Sequence, residues 1–187
     1  MTRLKHWLIV LLLVFTSSAP ALASTIVLST WYEFGFDPNH SPLAAGCQPA
    51  DPTGVPCRVG IGSTSLGSNP WTISTESLVG MNVTDAFLAG DFFDVFDFGV
   101  LIGSTASVAA NGANCGLDPS TCVEAPGFSH ASFVLPAGAH SITIGVHEAQ
   151  ILGEGFFRLD TVPEPSTSGL MTLLLLAILL GRRRLAL

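Results

Sequence analysis

Lysine is missing from the whole central part of this 187-residue chain, and basic residues of any kind are scarce there. Between 24 and 161, thirteen acids face only two bases, Arg58 and Arg158, for a formal charge of −11. Nucleic acid and anionic membrane surfaces bind through Lys and Arg, so both are poor partners for such a body. Without lysine there is no Schiff-base chemistry. No G-x-S-x-G elbow and no H-E-x-x-H motif occurs. The histidines His40, His130, His140 and His147 are scattered, and His140 and His147, seven apart, would face opposite ways on one strand. No C-x-x-C pair occurs and no histidine neighbours a cysteine pair, which argues against a zinc site. No stretch between the two ends has the periodicity of an amphipathic helix. These absences point away from an enzyme, and no cofactor is expected.

The four cysteines, Cys47, Cys57, Cys115 and Cys122, are even in number. In an exported chain that count argues for disulfides. Three connectivities are possible. Cys47–Cys57 and Cys115–Cys122 are favoured, because each pair closes a short loop rich in Gly, Pro and Asp. Loop entropy gives each roughly 2.5–3 kcal/mol.

The remaining pattern is all β. Thr25–Leu28, Trp31–Phe36, Trp71–Thr75 and Met81–Leu88 read as strands. Phe92–Phe96 and Val100–Gly103 read as a hairpin turning at Asp97-Phe98-Gly99, with Gly99 taking a positive φ. Ala131–Leu135 and His140–Val146 read as a second hairpin around Pro136-Ala137-Gly138, and Phe156–Val162 as the last strand. Ser41–Gly60 and Ala110–Pro126 are loops. Eight or so short strands with Gly-rich turns predict a β-sandwich of jelly-roll type.

Two groups of residues suggest binding chemistry. Asp85, Asp91, Asp94 and Asp97 fall close together around a predicted hairpin. Carboxylates converging there would suit Ca²⁺, a hard ion that prefers oxygen, although the spacing matches no known calcium loop. The plainer reading is turn formation and a solvated face. Trp31, Tyr32 and Trp71 would stack on sugar rings if exposed; in a small sandwich such rings usually fill the core.

The two ends read as signals. Arg3 and Lys5 precede the apolar run Trp7–Phe15, and Ala21-Leu22-Ala23 is an A-x-A cleavage site. The mature chain is expected to begin at Ser24. At the other end, Val162-Pro163-Glu164-Pro165 precedes an apolar run, Gly169–Leu180, and then Arg182-Arg183-Arg184. As a helix, that run would span roughly 18 Å, against about 30 Å of hydrocarbon. Each arginine costs roughly 2.5–3.5 kcal/mol at mid-bilayer, so the three are expected to remain cytoplasmic.

This order of motif, apolar segment and basic cluster resembles the PEP-CTERM sorting signal of exopolysaccharide-producing Gram-negative bacteria. The same segment is also catalogued as the C-terminal domain of an ice-binding protein, a label that describes the tail and implies no activity. The central region, roughly Trp71–Asp160, resembles more loosely the ectodomain of many small PEP-CTERM proteins. The resemblance implies a signal peptide over 1–23, an exported domain over 24–161 and a sorting signal over 162–187. It also implies handling by the Sec translocon, signal peptidase and exosortase, a membrane-embedded cysteine protease. The chain would sit transiently in the inner membrane and end at the cell surface or outside it, associated with exopolysaccharide. The alternatives are a carbohydrate-binding module, with or without calcium, and a secreted hydrolase, which would need His130 or His140 beside a carboxylate in a cleft.

Overall fold

The computed structural model describes residues 25–39, 41–147 and 152–163. These form nine strands and one short helix: β1 (Trp31–Phe36), β2 (Ser63–Ser65), β3 (Trp71–Thr75), β4 (Val79–Asp85), β5 (Phe92–Asp97), β6 (Val100–Ser104), α1 (Pro119–Glu124), β7 (His130–Leu135), β8 (Gly138–His147) and β9 (Gly153–Thr161). They make two sheets, ordered β2-β1-β9-β4-β7 and β3-β8-β5-β6. Apart from the three-residue β2, the strands nest first with last. β1 pairs with β9, β3 with β8, β4 with β7 and β5 with β6, all antiparallel. That nesting, divided between two facing sheets, is the jelly roll.

Alternation builds the core. Tyr32, Phe34 and Phe36 of β1 meet Phe157 and Leu159 of β9, Trp71 and Ile73 of β3, Phe93 and Val95 of β5 and Ile142 and Ile144 of β8. Phe34 is wholly buried and packs edge-on against Phe93, with ring centroids 5.2 Å apart. Trp71 lies 5.4 Å from Phe157, and its indole N–H donates to Gly67 O. A second apolar cluster sits outside the five-stranded sheet, where Trp31, Phe87, Phe128, Phe156 and the Cys115–Cys122 bridge pack together.

Several expectations are corrected. Thr25–Leu28 is no strand; Thr25 makes one isolated bridge to Thr72, and the chain turns at Leu28-Ser29. β4 runs over Val79–Asp85, so Ala86–Leu88 lie beyond it. β7 and β8 do not form a hairpin: β7 pairs with β4 in one sheet and β8 with β3 and β5 in the other. Pro136-Ala137 is therefore an arch between sheets. Alternation marks a strand but does not name its partner. The β5–β6 hairpin turns where expected, with positive φ at both Phe98 (49°) and Gly99 (76°), the pattern of a two-residue primed turn. Helix α1 lies inside the loop expected over Ala110–Pro126. Asp118 caps it by accepting from Ser120 N–H, and Pro119 enters its first turn.

Both favoured disulfides are present, Cys47–Cys57 and Cys115–Cys122, and no cysteine is free. Thiol labelling of the unfolded, non-reduced chain is expected to find no reactive cysteine; a labelled residue would contradict this pairing.

Candidate functional site: the chain exit and the carboxylate groups

The last strand leads straight into the Pro-Glu-Pro stretch. β9 is an inner strand, held between β1 and β4. Its final residue, Thr161, pairs with Val79, and the Val162 N–H still donates to Leu78 O at 3.2 Å. Pro163 has no N–H to continue the ladder. The β9 ladder therefore ends where the motif begins. Glu164, Pro165, the run Gly169–Leu180 and Arg182–Arg184 lie outside the described residues, as do Ala21, Ala23 and Ser24. Among the described residues no helix is long and apolar enough to cross a membrane.

The four aspartates of the β4–β6 region do not share one ligand shell. Asp85, wholly buried at the end of β4, accepts from Ala86 N–H at 2.8 Å, Gly90 N–H at 3.1 Å and Asp91 N–H at 3.2 Å, and so shapes the turn that follows. Asp94 accepts from Ser104 and meets His147 Nε2 at 2.6 Å. Asp97 meets His140 Nδ1 at 2.7 Å and accepts from Ser141 N–H. His140 and His147 do face opposite ways on β8, one buried and one exposed. The two aspartates nearest the hairpin are each held by a different histidine. Among the described residues, the one group of three metal-ligating side chains within mutual reach is Glu33 with Cys47 and Cys57. Those sulfurs form a disulfide and carry no thiolate charge.

Burial drives the Asp85 carboxyl up to about 8, with the nearby Asp91 charge adding to it and the three N–H donors opposing it; burial raises Asp91 to about 6. In the unfolded chain both return to the usual aspartate range near 3.9. Between that range and the folded values, the folded state holds protons that the unfolded state releases. Stability from this pair is therefore complete only below about pH 4, and it falls continuously as pH rises from there through 6 for Asp91 and 8 for Asp85. Unfolding free energies from urea titrations at pH 5, 6.5 and 8 should decline in that order, and the midpoints with them, by about 5 kcal/mol in total. A midpoint that rises with pH would contradict the assignment.

The three rings considered for sugar stacking are buried. Trp71 and Tyr32 belong to the inter-sheet core, and Trp31 lies beneath the Arg158 guanidinium, 4.8 Å from the ring centroid. Sugar stacking through them is ruled out because each is already packed. The outer face of the four-stranded sheet carries different rings. Phe92 stacks on His147 at 5.0 Å with the planes 2° apart. Phe96 lies over Gly145, where a Cβ would stand 3.1 Å from the ring. Asp94 sits on the same face, between the two rings in sequence.

A pair of buried glutamates was not singled out from the sequence. Glu33 is wholly buried although it lies inside the aromatic run of β1; Glu154, near the start of β9, is 9% exposed. Both project from the outer face of the five-stranded sheet, under the loop closed by Cys47–Cys57. Glu33 Oε2 accepts from Gly60 N–H at 3.4 Å, and Glu154 Oε1 from Arg58 N–H at 2.9 Å. Burial raises both carboxyls, Glu154 to about 7. One signal was available: a charged residue in Trp31–Phe36, a strand that buries all six of its residues.

Residues 161–184 match the PEP-CTERM protein-sorting motif. This chain carries a PEP-CTERM sorting tail. The motif directs export and cell-surface sorting, with exosortase as the processing partner. No curated protein matches the chain. The matched PEP-CTERM segment starts on Thr161, the last residue of β9, so the sorting tail and the folded body share a residue.

Proposed function

We propose that the sandwich is a non-catalytic protein of the cell surface or polysaccharide matrix, delivered by its PEP-CTERM tail and associated with exopolysaccharide. The observation that carries this reading is the junction at Thr161–Pro163. An acidic body with no spacer before the tail is pressed against the inner membrane until it is cut, and anionic headgroups repel it there. A permanent anchor of that design works against itself; processing relieves the conflict.

The histidines support a non-catalytic body. His140 uses both ring nitrogens, one on Asp97 and one on Pro136 O at 2.9 Å, so neither is left for a substrate proton. His130 is exposed, and its Nδ1 meets Phe128 O, not a carboxylate.

A second reading, a carbohydrate-binding module, is favoured by the outer face bearing Phe92, Phe96, Asp94 and His147. Flat rings beside a carboxylate suit a sugar's apolar face and its hydroxyls. Affinity electrophoresis through gels containing the producing cell's own exopolysaccharide tests both readings. Retardation that is lost in Phe92→Ala supports the binding module. Association with the matrix in cell fractionation, without such retardation, supports the first reading. Free release of the mature protein into the medium contradicts both.

A further inference from the structure

We propose that Glu33, Glu154 and Ser63 hold a hard divalent cation of the calcium class beneath the Cys47–Cys57 loop. Among the described residues, four buried side-chain polar atoms lack a hydrogen-bond partner, and three of them belong to these residues: Glu33 Oε1, Glu154 Oε2 and Ser63 Oγ. Each glutamate has one oxygen anchored by a backbone N–H, from Gly60 or Arg58, and its other oxygen within hydrogen-bonding reach of the partner carboxyl, with the Ser63 hydroxyl in reach of Glu33. Anchoring one oxygen fixes the direction of the other. The β1–β9 register, with Glu33 opposite Phe156 and Gly35 opposite Glu154, makes the two carboxyls diagonal neighbours on one face. β2 runs parallel to β1 from Ser63, which brings the hydroxyl beside Glu33.

Two buried carboxylates that face each other are costly when both are ionised, unless a cation or a shared proton sits between them. The nearby arginine does not fill that role directly. The Arg58 guanidinium lies over the Phe87 ring, 5.2 Å from its centroid. The other base on this face, Arg158, is held by Trp31 and by Asp160 at 2.8 Å. The loop over the pair is fitted closely. A Cβ at Gly60 would stand 2.5 Å from Ser63 Oγ and 2.7 Å from the Phe156 ring, so only glycine brings its N–H to Glu33 there. Carboxylate and hydroxyl oxygens with no sulfur or imidazole ligand favour calcium over zinc or copper. This site is distinct from Asp85, Asp91, Asp94 and Asp97, and it does not depend on the exopolysaccharide reading.

The test uses the full-length chain in detergent with both disulfides formed. Terbium, a calcium mimic, is added and excited through tryptophan; Trp31 lies two residues from Glu33 on the same face of β1. Sensitised emission that calcium displaces, and that is lost in both Glu33→Gln and Glu154→Gln but kept in Asp94→Asn, is expected. In the unaltered protein, saturating calcium should raise Tm by about 5 °C over the chelated state. Emission that survives in both glutamine variants would overturn the proposal, because it places the ion elsewhere on the acidic surface. So would a Tm indifferent to calcium and chelator, the result expected if the two carboxyls share a proton instead.

Discussion

Replacing Pro163-Glu164-Pro165 with three alanines should convert a chain that is mostly processed into one that is almost entirely uncut and held in the membrane fraction. The reason is conformational as well as chemical. Proline lacks the N–H that would continue a ladder or a helix, and it forces the preceding residue into extended backbone, the shape a protease requires. Three alanines remove both constraints and allow helix to grow toward the body. Removing Arg182–Arg184 should fail differently. Each arginine costs roughly 2.5–3.5 kcal/mol to bring to mid-bilayer, so the cluster acts as the stop. Without it, a short apolar run is free to pass through, and uncut chain should appear outside the membrane. Immunoblots of membrane and external fractions distinguish the two defects. Normal processing of the alanine variant would refute the role given to the motif.

Asp85→Ala should destabilise the sandwich by about 3–5 kcal/mol, as much as truncating a buried aromatic ring of the core. Its carboxyl accepts three backbone N–H groups from the turn after β4, all in a place where Asp85 itself is wholly buried. Alanine leaves all three donors without this partner, the Ala86 N–H in a buried position. Asp85→Asn keeps one oxygen but turns an amide N–H₂ toward a donor, so its cost should be smaller, about 1–3 kcal/mol. Urea unfolding of the two variants checks the order. Equal and small effects would mean that the turn is held by its apolar neighbours, Phe87 and Ala89, and not by the carboxyl.

The strands that carry their own evidence were legible in the sequence. Ile142, Ile144 and Val146 alternate with small or polar residues, and β8 lies where that alternation lies. The paired short loops around the cysteines likewise announced their bridges. What the sequence hid was partnership. β7 and β8 look like a hairpin because only Pro136 and Ala137 separate them, yet they belong to opposite sheets. β2 escaped notice because Ser63-Thr64-Ser65 has no apolar side chain to mark it; backbone pairing with β1 alone makes it a strand. Helix α1 had a readable start in Asp118-Pro119 but, at six residues, no periodicity to follow. The glutamate pair comes from the first and last strands of the sandwich. Nothing local joins Glu33 to Glu154; the nesting of β1 against β9 does. The aspartates are the reverse case, near in sequence but divided among a turn and two histidines, as the plainer reading of turn formation implied.

The central claim is that the PEP-CTERM tail is removed as the protein reaches the surface. Mass spectrometry of the surface-exposed protein, isolated from the producing cell, tests it most directly. The account predicts an N-terminus at Ser24 and a C-terminus near Pro163-Glu164-Pro165, with neither the apolar run nor the arginines present. Recovery of the intact chain through Leu187 would contradict it and leave a membrane-anchored protein in its place.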